Sequence, residues 1–226
     1  MPGYYDTSLS ALRLKKCYDI APSRVKQYLQ AELDFVLKKI SHKDIILDLG
    51  CGYGRLIPDL AKKAKFVHGI DTSMPSLLLG KDFLKNIQHH LLHQMNAAKL
   101  TFSANTMDVV LCLQNGISAF HVDQRTLIKE AVRVTKPGGI AIFSTYSEKF
   151  WDHRLKWFEL QSKAGLIGEL DPEKSRNGNI VCRDGFCASA ISPRKFLELT
   201  RWIRGIKVII REVDDSCLLF VIKKMK

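Results

Sequence analysis

The sequence predicts an α/β protein built on a mostly parallel sheet, and three observations support this class. Short apolar runs alternate with segments of helical spacing through much of the chain. One run, at residues 44–49, leads directly into a glycine-rich turn. The last two apolar runs, 206–213 and 216–223, are joined by only Asp214-Asp215. A connection between parallel strands needs about a dozen residues or more, so this final pair must be antiparallel, whereas the earlier alternation implies parallel strands with right-handed crossovers.

The elements can be assigned in order along the chain. Residues 1–21 are expected to be irregular or weakly helical, and Pro22 suits the first turn of the next helix. The apolar residues of that helix follow helical spacing, at Val25, Tyr28, Leu29, Leu33, Val36, Leu37 and Ile40. The predicted strands are 44–49, 66–70, 88–95, 108–113, 140–145, 206–213 and 216–223. Helices are predicted at 53–63, 74–85 and 123–135, and another begins at Ser192-Pro193.

Length and composition limit the class of protein. A chain of 226 residues allows one well-buried α/β domain with an appendage. We therefore expect a single domain over 1–226, in which 1–43 form an N-terminal helical cover and 146–191 a lid insertion after strand five. No apolar run reaches transmembrane length, and the first residues lack the pattern of a signal peptide. Six scattered cysteines suit reduced thiols, which indicates a cytoplasmic protein.

No metal site is expected from the cysteines and histidines. Cys182 and Cys187 are close enough in sequence to suggest a metal pair, but no second pair lies beside them. Two facing positions of a β-hairpin are the preferred interpretation, because Asp184-Gly185 between them is a two-residue turn signal. The seven histidines likewise form no cluster with metal-ligand spacing.

The formal net charge of +12 leaves two interpretations open. A basic protein can bind nucleic acid or an anionic surface. The lysines and arginines are spread along the chain, in runs no longer than Lys62-Lys63 or Lys223-Lys224, and no aromatic-basic motif accompanies them. General solvation of the surface is therefore favoured over a nucleic-acid partner.

The glycine-rich turn predicts a ligand site. Gly50, Gly52 and Gly54 follow the first strand, where glycine lets the backbone turn tightly and approach a ligand closely. A dinucleotide fingerprint would require glycine where Arg55 stands, which disfavours an NAD-dependent oxidoreductase. Asp48, at the tip of the strand, repels a pyrophosphate and attracts a cationic ligand.

With this strand, its Asp-x-Gly-x-Gly-x-Gly turn and the helix that follows, the chain resembles the class I S-adenosylmethionine-dependent methyltransferases over roughly residues 44–146. The resemblance is to the small-molecule type, loosely similar to glycine N-methyltransferase in the loop 114–120 and to quinone-biosynthesis C-methyltransferases. It implies a Rossmann-like seven-stranded sheet of order 3-2-1-4-5-7-6, with strand 7 antiparallel and helices on both faces. It also implies S-adenosyl-L-methionine as cofactor and S-adenosyl-L-homocysteine as product, without a metal.

The resemblance further implies a cofactor site at the carboxyl ends of the strands, where ligands of open α/β sheets bind. Asp48 would steer the cofactor ammonium, Asp71 would accept both ribose hydroxyls, and Asn96 would accept from the adenine amino group. Asp71 as a helix cap and Met74 as a core residue are the structural alternatives. The expected cofactor-binding residues are Asp48, Gly50, Cys51, Gly52, Gly54, Asp71, Thr72, Met74, Asn96, Ala97 and Gln114.

The sequence identifies no firm catalytic residue. Methyl transfer from a sulfonium needs a general base only if the acceptor arrives protonated. His121, Tyr146 and His153 lie in or just after the relevant loops and are weak candidates, with surface or packing roles favoured for each. The insertion 146–191 opens with aromatic residues that suit either an acceptor pocket or a small separate core, and Tyr4-Tyr5 could fold over the site.

The leading functional prediction is methyl transfer to a small molecule, such as an amine, a phenol or a carbon acid. One alternative keeps the chemistry but uses an RNA or protein acceptor on the basic surface, although no Asn/Asp-Pro-Pro-Tyr motif of the nucleic-acid amino-methylating branch follows strand four. Another alternative is a non-catalytic module that binds S-adenosylmethionine. The sequence indicates neither the acceptor atom nor the oligomeric state.

Overall fold

The computed structural model describes residues 4–226, apart from the side chain of Asp6. Its helices are α1 (Tyr4–Thr7), α2 (Ala11–Asp19), α3 (Ser23–Leu37), α4 (Ile57–Ala61), α5 (Met74–Phe83), α6 (Gly116–Ala119), α7 (Gln124–Val134), α8 (Trp151–Lys163) and α9 (Pro193–Thr200). Its strands are β1 (Ile45–Leu49), β2 (Phe66–Asp71), β3 (His90–Gln94), β4 (Met107–Cys112), β5 (Thr135–Tyr146), β6 (Asn179–Val181), β7 (Cys187–Ser189), β8 (Ile206–Val213) and β9 (Cys217–Lys224). Among these described helices, none combines the length and the apolar character that crossing a membrane requires.

Seven of the strands form one sheet in the order β3-β2-β1-β4-β5-β9-β8. Strands β1 to β5 run parallel, whereas β9 pairs antiparallel with both β5 and β8. The predicted strand order is confirmed, with β8 and β9 as the sixth and seventh strands of the sequence prediction. The other two strands, β6 and β7, form a small separate hairpin within the 146–191 segment.

Helices cover both faces of the sheet, so the central strands are buried on both sides. One face packs against α3, α4 and the aromatic residues of α8, and the other packs against α7 and α9. Asp123 caps the N-terminus of α7, because its carboxylate accepts the N–H of Thr126 at 2.8 Å. Each face of the sheet therefore carries its own hydrophobic core, and the carboxyl ends of the parallel strands remain available for a site.

Three elements differ from the sequence prediction. The helix predicted at 53–63 is shorter in the structure, where α4 spans Ile57–Ala61. Gly54 adopts φ = +80°, which a right-handed helix does not include, so the helix begins after it. Strand β5 begins at Thr135, which pairs with Met107 of β4 before a bulge in that ladder. Residues 1–21 were expected to be irregular or weakly helical, but the described part of this segment contains the regular helices α1 and α2.

The hairpin of β6 and β7 corrects two further predictions. Its loop spans three residues, 183–185, and not the two predicted at Asp184-Gly185. Gly185 adopts φ = +95°, and this left-handed position accommodates the extra residue. The N–H of Cys182 donates to the carbonyl oxygen of Phe186 at 2.9 Å, so Cys182 does not face Cys187 across the hairpin. Among the side chains that the structure describes, no group of three or more His, Cys, Asp or Glu could hold a metal ion.

Candidate functional site

A cavity of about 300 Å³ lies at the carboxyl ends of β1 to β5. The loops that follow the strands contribute Asp48–Tyr53, Arg55, Asp71, Thr72, Met95–Ala97, Leu113, Gln114, Phe120, His121 and Tyr146. The N-terminal helices contribute Tyr5, Leu9, Leu14, Cys17, Tyr18, Tyr28 and Leu29. Helix α8 contributes Trp157, Phe158 and Gln161. The cavity therefore has a polar half on the strand loops and an aromatic half on the N-terminal helices and α8.

The glycine turn after β1 is held against the end of β2. The N–H of Cys51 donates to the carbonyl oxygen of Ile70 at 2.9 Å. The carboxylate of Asp71 accepts the N–H of Gly52 at 2.8 Å on one oxygen and the N–H of Ser73 at 2.8 Å on the other. Hydrogen bonds to an ionised group are shorter and stronger than neutral ones. One carboxylate thus orders both loops that form the floor of the cavity.

Two positions in the turn require glycine. Gly50 adopts φ = +71°, and a Cβ atom there would lie 2.4 Å from the ring of Phe120. Gly52 adopts φ = +57°, and a Cβ atom there would lie 3.0 Å from Leu14 of α2. Gly54 has a packing role instead, because its Cβ would meet the side chain of Leu84 and it does not line the cavity.

Asp48 lies in the wall of the cavity and is only 3% exposed. Burial raises the pKa of its carboxyl to about 7; the Arg55 guanidinium opposes this rise, and Asp71 and Glu32 add to it. A carboxyl group in such a place is stabilised in its ionised form by any cation that enters the cavity.

The raised pKa of Asp48 makes the stability of the fold depend on pH. Its ordinary pKa is 3.8, so between that value and about 7 the folded protein binds more protons than the unfolded chain. The stabilising contribution is complete below the ordinary pKa and is lost as pH rises through the raised one. We expect the free energy of unfolding, measured in urea, to fall from about pH 5 to about pH 8, and to fall less in Asp48→Asn, whose amide does not titrate. An equal fall in both proteins would show that Asp48 does not titrate in this range.

Most of the predicted cofactor-binding residues come together in this structure. Those that line the cavity are Asp48, Gly50, Cys51, Gly52, Asp71, Thr72, Asn96, Ala97 and Gln114. The two that do not are Gly54, which packs below the turn, and Met74, which is 44% exposed and belongs neither to the cavity wall nor to the core. The carbonyl oxygen of the Asn96 side chain already accepts the N–H of Ala98 at 2.8 Å, and its second lone pair remains for a ligand.

Two of the three weak catalytic candidates lie in the cavity wall. Tyr146, at the end of β5, is buried, and this burial raises the pKa of its phenol to about 12, with Arg154 opposing the rise. Its hydroxyl therefore stays protonated near neutral pH. His121 is exposed at the rim. His153 lies on the exposed side of α8 against Phe150 and does not line the cavity.

The aromatic half of the cavity joins two segments that are distant in sequence. The indole N–H of Trp157 donates to the carbonyl oxygen of Cys17 at 2.9 Å, which links α8 to α2. Tyr5 lines the cavity, which is the position expected of a residue that folds over the site. Tyr4 does not line the cavity and packs edge-on against Phe186, with ring centroids 5.0 Å apart.

Sequence reasoning missed two charged residues of this site. The sequence prediction used Arg55 only as evidence against a dinucleotide-binding site. In the structure Arg55 lines the cavity, and its guanidinium lies 4.6 Å from the centroid of the Tyr18 ring. Glu32 of α3 received no role, yet it is 1% exposed beside Asp48. A signal was present, because Glu32 follows Tyr28 by one helical turn on the apolar face of its helix.

Residues 46–139 match the family model described as "Methyltransferase domain". The ubiquinone biosynthesis O-methyltransferase of Coxiella burnetii (strain RSA 493 / Nine Mile phase I) is 30% identical over 140 residues, which cover 61% of this chain and 56% of that protein. The protein of the same name from Vibrio parahaemolyticus is 31% identical over 143 residues, covering 58% and 53%. This chain thus spans about half the length of the curated relatives that it matches.

Solved structures with the same fold are more distant in sequence. The N-methyltransferase NodS from Bradyrhizobium japonicum, in complex with S-adenosyl-L-homocysteine, superposes over 100% of both chains with a TM-score of 0.64 at 15% identity. A SAM-dependent methyltransferase from Methanosarcina mazei has a TM-score of 0.62 at 21% identity, covering 84% of this chain and 97% of the other. These likenesses establish the fold.

Proposed function

We propose that this chain, which belongs through residues 46–139 to the class I S-adenosylmethionine-dependent methyltransferases, transfers a methyl group from S-adenosyl-L-methionine to a small molecule. One observation carries the proposal. The glycine turn, braced by Asp71, forms the floor of a cavity whose opposite half is aromatic. A cofactor on the turn would therefore present its reactive end to the aromatic half of the same cavity, where the acceptor would bind.

The residues present fit this cofactor. Gly50 and Gly52 leave the turn without side chains, so that the methionine part and the ribose can lie on the backbone. Asp71 stands at the end of β2 with a carboxylate that suits ribose hydroxyls, and Asp48 supplies a negative charge in the wall. S-adenosylmethionine would supply a methyl group bonded to a sulfonium sulfur, and the neutral thioether S-adenosylhomocysteine is a good leaving group without further activation.

The chain itself has to orient the acceptor and exclude water. Holding two reactants in line can lower a barrier by about 7–11 kcal/mol in favourable systems. The side chains of Tyr18, Trp157 and Phe158 close the aromatic half, which suits a flat acceptor. Tyr146 adds a protonated hydroxyl at the end of β5, which makes it a hydrogen-bond donor and not a general base.

A small-molecule acceptor is favoured over an RNA or a protein. The aromatic half is formed by α2 and α8 together, and the link between Trp157 and Cys17 joins these two helices beside the cavity. The curated relatives are named for ubiquinone biosynthesis and O-methylation, which supports a phenol among the acceptors to be tested. All six cysteines lie within the described residues and are free, in keeping with the proposed cytoplasmic location.

Calorimetry and a methyl-uptake assay test this proposal. We expect S-adenosylmethionine and S-adenosylhomocysteine to bind and NAD not to bind. With radiolabelled S-adenosylmethionine, we expect uptake into a phenol or an amine from a panel that also contains transfer RNA. Binding of NAD alone would overturn the cofactor assignment. Uptake into transfer RNA that falls steeply with salt would overturn the small-molecule acceptor.

A further inference from the structure

Of the described side chains that line the cavity, three are carboxamides, and they differ in their partners. The side-chain oxygen of Asn96 accepts the N–H of Ala98 at 2.8 Å, and that of Gln114 accepts the hydroxyl of Tyr18 at 2.5 Å. Gln161 of α8 is 3% exposed, but no hydrogen bond joins its carboxamide to any group in the described part of the chain. Buried polar groups in native proteins are nearly always paired, so an unpaired one that faces a cavity indicates a ligand group.

The backbone that carries Gln161 is fixed on both sides. One helical turn before it, the indole N–H of Trp157 donates to the carbonyl oxygen of Cys17 at 2.9 Å. One turn after it, the guanidinium of Arg13 donates to the carbonyl oxygen of Gly165 at 2.7 Å. Both links run to α2, and residues four apart on a helix share a face. The carboxamide is therefore held at a fixed place in the wall, on the same face of α8 as the indole ring.

The aromatic half of the cavity has no ionised group near neutral pH among its described side chains. Burial raises the pKa of the Cys17 thiol to about 12. Burial likewise raises the pKa of the phenols of Tyr5, Tyr18 and Tyr28 above their ordinary value. All four groups therefore stay protonated and uncharged. Because a charged group is costly to bury without a partner charge, this half of the cavity favours an uncharged acceptor.

The charged side chains of the wall belong to the loops after the strands. Asp48, Arg55 and Asp71 are the described ones that line the cavity with a formal charge. Arg55 lies over the ring of Tyr18, at the boundary of the aromatic half, and the carboxyls of Asp48 and Glu32 lie close enough to oppose its charge. The charges of the strand loops thus face one another, and a charged acceptor in the aromatic half would have to compete for them.

A further positive charge lies behind the aromatic half. The guanidinium of Arg154 packs against the rings of Tyr146 and Phe158, and it donates to the carbonyl oxygens of Gly178 and Ala188 at 2.7 Å each. Arg154 is 1% exposed and does not line the cavity. Its charge therefore pairs with no ligand directly, but it makes the aromatic half unfavourable for an ammonium.

We propose that Gln161 binds a hydroxyl group of an uncharged, flat acceptor, and that this carboxamide sets the preference for such an acceptor over an amine. This inference rests on the proposed function, because it concerns the molecule that receives the methyl group. A hydroxyl both donates and accepts hydrogen bonds, as a carboxamide does. An ammonium can only donate and a carboxylate can only accept, so each would leave half of the carboxamide unpaired.

Calorimetry on protein saturated with S-adenosylhomocysteine tests the assignment with three single-ring probes. Near neutral pH, p-cresol is uncharged, benzylamine is an ammonium and benzoate is a carboxylate. We expect the wild type to bind p-cresol at least about tenfold more tightly than either charged probe. Gln161→Met keeps the length of the side chain but removes the carboxamide, so it should weaken p-cresol binding by about tenfold. Gln88→Met makes the same change at an exposed position and should behave as wild type.

Gln161→Glu separates a binding role from a structural one. It places a carboxylate where the carboxamide stood, so benzylamine should now bind more tightly than p-cresol. In both Gln161 variants the binding of S-adenosylhomocysteine should stay within about twofold. Gln161→Met should melt no lower than the wild type by circular dichroism, because it removes an unpaired buried polar group. If it does melt lower, Gln161→Asn, which withdraws the carboxamide by one methylene, replaces it and should also weaken p-cresol binding.

Each outcome decides the question. Unchanged binding of p-cresol in Gln161→Met would overturn the inference, and so would a wild type that binds benzylamine or benzoate more tightly than p-cresol. Weakened binding of S-adenosylhomocysteine in Gln161→Met would assign the carboxamide to the cofactor and would overturn it as well. Wild-type protein that bound S-adenosylhomocysteine but no probe would overturn this inference alone, whereas wild-type protein that did not bind S-adenosylhomocysteine would overturn the proposed function.

Discussion

Replacing Asp71 by alanine is expected to weaken the binding of S-adenosylhomocysteine by about one hundredfold. Two effects add. The variant loses a carboxylate that would accept the ribose hydroxyls, and it releases the N–H groups of Gly52 and Ser73 that this carboxylate orders. Hydrogen bonds to charged groups contribute at least about 1.5 kcal/mol each, so losing two of them costs about 3 kcal/mol, which corresponds to about one hundredfold in affinity. Isothermal titration calorimetry at fixed salt measures it.

The matched control for Asp71 is Asp82→Ala, which removes a carboxylate from the exposed side of α5. This control should bind as wild type does. Asp71→Asn should also bind weakly, because its amide nitrogen would face one of the two N–H donors. A loss of less than about threefold in Asp71→Ala would show that the β2 end does not hold the ligand.

Replacing Gly50 by alanine is expected to destabilise the fold by about 2–4 kcal/mol. Part of the cost is conformational, because Gly50 adopts φ = +71°. The rest is steric, because the new Cβ would lie 2.4 Å from the ring of Phe120. Urea unfolding at constant pH measures the change in the free energy of unfolding.

Gly165 offers a control that separates these two costs. It adopts φ = +65°, close to that of Gly50, but a Cβ there meets nothing within 4 Å. Gly165→Ala should therefore cost only about 1–2 kcal/mol. Equal losses in the two variants would show that Phe120 moves aside freely. The double variant Gly50→Ala/Phe120→Ala should recover the steric part.

The elements and the position of the cavity could be predicted because they depend on local signals, whereas the strand order was implied by the resemblance to a known family. Apolar periodicity marks strands and helices, a two-residue connection forces an antiparallel pair, and glycine marks the turn. Segment boundaries were harder. The sequence prediction placed Gly54 in the first turn of a helix over 53–63, but its φ of +80° makes residues 53–56 a non-helical turn.

The aromatic half of the site was less predictable because it depends on contacts between distant segments. The hydrogen bond from Trp157 to the Cys17 carbonyl joins positions 140 residues apart, and no local pattern specifies it. The hairpin loop spans three residues, 183–185, because Gly185 adopts a left-handed conformation. The Asp184-Gly185 turn signal alone does not distinguish this loop from a two-residue one. Glu32 received no role for a different reason, since a single acid within a helix belongs to no recognisable motif.

The two halves of the cavity have separate origins in the chain. The recognised family segment, 46–139, holds the glycine turn and Asp71, but Tyr18, Trp157 and Gln161 lie outside it. The hydrogen bonds that Asp71 accepts from Gly52 and Ser73 lie wholly within this segment, so substitutions in the outer segments leave them in place. On the proposed function, grafting the outer segments of a related methyltransferase onto this floor offers a route to new acceptors.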